Sequence, residues 1–67
     1  MNWDQVKGNW KQLSGKVKEK WGKLTDDDLT TAAGVREQIL GRIQERYGYA
    51  KEQAEKELDE FVRTANM

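Results

Sequence analysis

Apolar residues in the first third of the chain fall at Val6, Trp10, Leu13, Val17, Trp21 and Leu24, with Trp3 upstream, at steps of three and four. This is the stripe of an amphipathic helix, and it predicts one from about Asp4 to Trp21. Gly22 stands where a left-handed stop belongs, and Glu19 and Lys23 lie four apart in the favourable order. The next residues carry specific turn chemistry. Thr25 fits an N-cap, Asp28 the third helical position of a capping box, and Leu24 and Leu29 the two positions of a hydrophobic staple. Asp26, Asp27 and Asp28 place negative charge at the positive end of a helix. A short second helix from about Asp26 to Ala33, stopped by Gly34, follows. A third is predicted from about Val35 to Tyr47, with Val35, Ile39, Leu40, Ile43 and Tyr47 inward and Gly48 closing it. The fourth starts near Ala50, with Ala54, Leu58, Phe61, Val62 and Ala65 on its apolar face and Glu52, Lys56 and Glu60 outside.

Part of this pattern is written twice. A shift of 26 places lays residues 8–22 over residues 34–48, with Gly8, Gln12, Gly15, Glu19 and Gly22 matched by identical residues. Leu13/Ile39, Lys16/Arg42, Val17/Ile43, Lys20/Arg46 and Trp21/Tyr47 exchange like for like. A period of this size denotes a supersecondary unit that does not bury its apolar face alone. The expectation is an all-α, four-helix domain of two crossed α-hairpins. It occupies residues 1–67 as a single unit, with repeat one at about 3–33 and repeat two at about 34–66.

The repeated glycines complicate the picture. Gly15 lies about 140° around the helix from Trp10, and Gly41 about 160° from Ile43, so both face away from the apolar stripe. A mid-helix glycine there costs about 1 kcal/mol against alanine. Drift in an undemanding surface position is one explanation; softening of the helix, or close approach of a partner's backbone, are the others.

Composition narrows the chemistry. With 67 residues the core is small and the fold easily perturbed. Neither Cys nor His is present, which removes disulfides, thiolate metal sites and the commonest general base. Ser14 is the sole serine and has no histidine to activate it. Asp26, Asp27 and Asp28 suggest a divalent cation, but Thr31 and Glu37 occupy the sixth and twelfth places of a calcium loop, so a helix cap is the better reading. Glu55 and Asp59 read as solvated surface. Gly22-Lys23 and Gly41-Arg42 lack the flanking glycine and strand of a phosphate loop. No catalytic residue, cofactor or metal site is expected. The first residues lack the basic and apolar regions of a signal peptide, no apolar run is long enough to cross a bilayer, and a cytoplasmic protein is expected.

Net charge is zero but unevenly spread. Residues 1–24 carry six lysines against Asp4 and Glu19, a net of +4; residues 25–67 carry six Lys or Arg against ten Asp or Glu, a net of −4. The plain reading is that the basic helix docks near acidic ones within the monomer. The alternative is a basic face offered to an anionic partner. Lys7, Lys11, Lys16, Lys18 and Lys23, with Gly15 and Gly41, form the candidate interaction surface.

The run Gly8-Asn9-Trp10-Lys11-Gln12, the segment Gly15-Lys16-Val17-Lys18-Glu19, the segment from Trp21 to Asp28, and Gln44-Glu45-Arg46-Tyr47-Gly48-Tyr49 resemble the CsbD-like family of small bacterial general-stress proteins. The match covers nearly the whole chain, though residues 60–67 depart from the family pattern. The resemblance implies a small helical cytoplasmic protein, similar to SAM or helix-hairpin-helix folds, that accumulates under general stress. It supplies no catalytic residues. The charged fraction of 36% and the six glycines also resemble hydrophilic protectants of osmotic or desiccation stress, while three tryptophans argue against full disorder.

The expected function is therefore non-enzymatic protection or surface interaction under osmotic or stationary-phase stress, by a monomer or weakly self-associating protein without a small-molecule substrate. Two alternatives rank lower. A nucleic-acid-binding helix-hairpin-helix module is disfavoured by turns lacking Gly-x-Gly, by the three aspartates after the first turn and by zero net charge. A peripheral membrane binder rests on Trp3, Trp10 and Trp21 among six lysines, a spacing more often seen in cores.

Overall fold

Gly8 and Asn9, two poor helix formers in succession, fall inside the first apolar stripe without disturbing its spacing. In the computed structural model, which describes residues 2–65, the expected first helix is two: α1 (Trp3–Gly8) and α2 (Trp10–Lys20). Asn9, at φ −108° and ψ 22°, leaves the helical conformation and gives α2 no side-chain cap. The start of α1 is better fixed. Asn2 Oδ1 accepts from the Gln5 N–H at 2.8 Å, and Gln5 Oε1 accepts from the Asn2 N–H at 3.1 Å, a reciprocal box that puts the first helical residue at Trp3.

Three further helices follow: α3 (Asp26–Ala32), α4 (Arg36–Tyr47) and α5 (Lys51–Ala65). The described residues contain no strand. Helix α5 runs to Ala65, and position 66, the last of the second repeat, lies outside the described residues. Contacts are most extensive between α3 and α4 and between α4 and α5, with α2 against α3 and α1 against α2.

The core forms where the stripes meet. Val17, Trp21, Leu24, Leu29, Ala32, Ile39, Leu40, Ile43, Ala54 and Leu58 make one buried cluster; Val6, Leu13 and Val62 make a second. Trp3, Trp10 and Phe61 are half-buried against both. Trp21 meets Phe61 edge to face, ring centroids 5.2 Å apart, joining the end of α2 to α5. Val35, expected inward, is 39% exposed. It is the N-cap of α4, in extended conformation, so the helical period does not govern its direction.

The repeated glycines end up unlike one another. Gly48 stops α4 in the left-handed region at φ 69°, its N–H donating to the Gln44 carbonyl. Gly22, expected to do the same for α2, does not have positive φ. The helix ends one residue earlier, at Trp21 with φ −115° and ψ 78°, a bend that accompanies burial of the indole in the core. Gly34, the repeat counterpart of the uncrowded Gly8, has φ 80° and lies against the backbone of Lys7. Before it, Ala33 caps α3 at φ 51°, a left-handed conformation that is costly for a residue with a Cβ.

Gly15 and Gly41 are helical and exposed, with open space where a Cβ would stand. Replacing each by alanine is expected to raise stability by about 0.5–1 kcal/mol, through helix propensity and a less flexible unfolded chain. Gly48→Ala is expected to destabilise because of its positive φ, and Gly22→Ala is not. Urea titrations of the four single variants check the pattern.

Candidate functional site

The polar centre of the molecule is built at the start of α3. Thr25 Oγ1 accepts from the Asp28 N–H at 3.0 Å, and Asp28 Oδ2 accepts from the Thr25 N–H at 3.0 Å, so the predicted capping box is present. Leu24 and Leu29 are both buried in the same cluster, as a staple requires. Thr25→Ala is expected to cost about 1 kcal/mol, the typical loss for an N-cap, read as a lowered denaturation midpoint.

Asp28 does more than cap. Its side chain is only 4% exposed, and Arg46 grips it with a two-pronged fork, Nε to Oδ2 at 2.9 Å and Nη2 to Oδ1 at 3.2 Å. Arg42, one turn earlier on α4, places Nη1 3.5 Å from Oδ1. The hydrogen bonds from Arg46 and the Thr25 backbone hold the Asp28 carboxyl down at about 2, and the same contact raises Arg46. Sequence reasoning gave Asp28 a local role and missed this bridge from α3 to α4. One signal was available: at the repeat positions of Lys16 and Lys20 the second copy has Arg42 and Arg46, and arginine suits bidentate carboxylate binding.

A second ion cluster joins α4 to α5. Arg36 Nη2 lies 3.2 Å from Asp59 and 3.7 Å from Glu55, with Glu37 3.6 Å from Nη1. Glu55 and Asp59, read from sequence as solvated surface, thus converge on one guanidinium. The three consecutive aspartates are divided: Asp28 belongs to Arg46, Asp26 pairs with Lys18 at 2.6 Å, and Asp27 faces solvent. No cluster of potential metal ligands occurs among the described residues.

The lysines named from the sequence have different surroundings. Lys11 borders an open groove of about 420 Å³ between α2 and α3, together with Trp10, Ser14, Asp26 and Thr30. Lys16 borders a different depression, with Glu19, Lys20 and Phe61. Lys7 lies on α1, its backbone against Gly34. Lys23 was expected to pair with Glu19, but the helix stops short of it. Its N–H instead donates to the Tyr47 hydroxyl at 3.2 Å, and its ammonium lies 5.1 Å from the centre of the Tyr47 ring. Gly15 and Gly41 have no neighbour within 4 Å of where a Cβ would stand.

The expected docking of basic on acidic halves is largely missing. Of the six lysines in residues 1–24, only Lys18 has a carboxylate of the described residues within 4 Å. The acidic half is partly neutralised by its own arginines at positions 36, 42 and 46. Two indoles differ in the same way. Trp10 Nε1 donates to the Leu29 carbonyl at 2.8 Å, whereas the buried Trp21 Nε1 has no acceptor among the described residues.

This is a small helical protein whose polar groups are spent on helix ends and interhelical ion clusters, with its lysines left on the surface. Residues 4–56 match the CsbD-like family model, and the chain belongs to that family. It is 71% identical over 58 residues to a UPF0337 protein of Pectobacterium atrosepticum, covering 87% of this chain and 84% of the relative. It is 67% identical over 58 residues to the UPF0337 protein YjbJ of Escherichia coli K12, with the same coverage. A UPF0337 protein of Protochlamydia amoebophila is 64% identical over 61 residues, 91% of this chain and 92% of that one. No solved structure matches the chain. No described helix is long and apolar enough to cross a membrane.

Proposed function

We propose that this chain is a non-enzymatic general stress-response protein that acts through its surface, by protection or by interaction with other macromolecules, under osmotic or stationary-phase stress. Membership of the CsbD-like family sets the stress context. The observation that carries the surface reading is the set of lysines at 7, 11, 16 and 20, which face no carboxylate of the described residues within 4 Å despite the acidic excess of residues 25–67. Charge not consumed inside the fold is available outside it. We read the architecture as two helical hairpins from an internal duplication, acting in the cytoplasm.

The test is survival of cells lacking the protein after osmotic upshift and in stationary phase, complemented by the wild type or by a variant with Lys16→Glu and Lys20→Glu. Rescue by the wild type and not by the folded charge-reversed variant is expected. Equal rescue by both would reject a lysine-dependent surface role. In parallel, titration of duplex and single-stranded DNA at two ionic strengths is expected to show at most weak binding. Submicromolar, salt-sensitive affinity lost on charge reversal at Lys16, Lys18 and Lys23 would replace protection by nucleic-acid binding.

A further inference from the structure

The six residues of α1 make a helix far too short to hold itself together in water, so its order depends on what it rests on. That support is thin. Val6 is the one buried side chain of α1, and it packs in the smaller cluster with Leu13 and Val62, apart from the cluster that joins α3, α4 and α5. The other supports of α1 are Trp3, half-buried against both clusters, and the Lys7 backbone, which lies against Gly34.

Beneath α1 lies a narrow slot of about 10 Å³, barely one water, lined by apolar side chains that include Trp3, Val6, Leu13, Phe61, Val62 and Ala65. Its floor reaches Ile39 and Leu58 of the main core. At the other end of α1 the chain turns through Gly8 and Asn9, the latter outside helical geometry and supplying no side-chain cap to α2. A short segment with one buried anchor, an interrupted helix at its base and a packing gap under it has the construction of a lid.

We propose that α1 is a hinged cover that opens about Gly8–Asn9 while α3, α4 and α5 stay folded, baring an apolar slot between α2 and α5. Opening exposes Val6, Leu13 and Val62 together, and so turns a charged surface transiently into an apolar one. The break between the first two helices then has a use: a continuous helix would tie α1 to α2 as one rigid rod. This inference stands independently of the role of the lysines.

Native-state hydrogen exchange of the wild-type chain tests it. Amides of Val6 to Gly8 are expected to be at least about tenfold less protected than those of Ile39 to Ile43, because a sub-global opening reaches only the first set. Equal protection of both sets would overturn the proposal. A second measurement uses Val6→Ala with the neutral dye Nile red. The variant is expected to bind several-fold more dye, with exchange accelerated in α1 and unchanged in α4. No gain in dye binding, or equal acceleration in both helices, would show that α1 opens only when the whole domain unfolds. Should Val6→Ala fail to fold, the wild-type exchange comparison decides alone.

Discussion

Gly34→Ala is expected to destabilise this protein more than any other single glycine substitution. Two independent penalties meet at that position. Its φ of 80° is a conformation that residues with a Cβ rarely adopt, and a Cβ placed there would stand 2.8 Å from the Lys7 Cα and 3.4 Å from both the Lys7 nitrogen and the Trp10 Cβ. The obstacle is backbone, so no rotamer change relieves it, and only lifting α1 off the α3–α4 turn does. Strain and overpacking of this kind together cost roughly 2–5 kcal/mol. A single core of this size rarely supplies more than about 3–5 kcal/mol in all. Circular dichroism of Gly34→Ala should therefore show lost helix without denaturant. Gly41→Ala, at a helical glycine of the second repeat with open space where a Cβ would stand, should be at least as helical as the wild type. A native-like Gly34→Ala would mean that α1 does not rest on the α3–α4 turn.

The contrast between these glycines shows what the sequence could and could not say. Local chemistry was legible: the turn from Leu24 to Leu29 depends on residues within five positions of one another, and each of its four named groups is found in place. The all-helical class and most of the core followed from the stripes for the same reason, since period and burial are linked along one element. The duplication was a poorer guide to detail. It treats Gly8 with Gly34 and Gly22 with Gly48 as equivalents, yet one member of each pair has positive φ and the other does not. What decides is the neighbour across the fold, such as Lys7 against Gly34 or the core around Trp21, and repeat alignment carries no record of it. Asn9 shows the same limit, because the apolar spacing runs through it unbroken while the backbone does not. The candidate surface was legible as a list of lysines but not as a shape. Only the folded chain places Lys11 and Lys16 beside different recesses and commits Lys18 to Asp26.

Loss of the Asp28 carboxylate should cost more than loss of the Thr25 cap, although both belong to one box. Thr25→Ala removes a single acceptor from the Asp28 N–H. Asp28→Ala removes the reciprocal bond to the Thr25 N–H and both prongs of Arg46, and it leaves Arg42 and Arg46 close together without the carboxylate between them. Asp28→Asn keeps the shape but replaces one acceptor oxygen by an amide that faces cations, so it should fall between the two. The pH dependence identifies the cause. Because folding lowers this carboxyl from 3.8 to about 2, its stabilisation is fully present above pH 3.8 and disappears as the pH falls through about 2. The wild type should therefore exceed Asp28→Asn in thermal midpoint by a constant margin from about pH 5 to 7, and the margin should shrink steadily below pH 4. A margin that persists unchanged at pH 2 would show that Asp28 acts through its shape and capping geometry, and that its charge in the grip of Arg46 contributes nothing to holding α3 against α4.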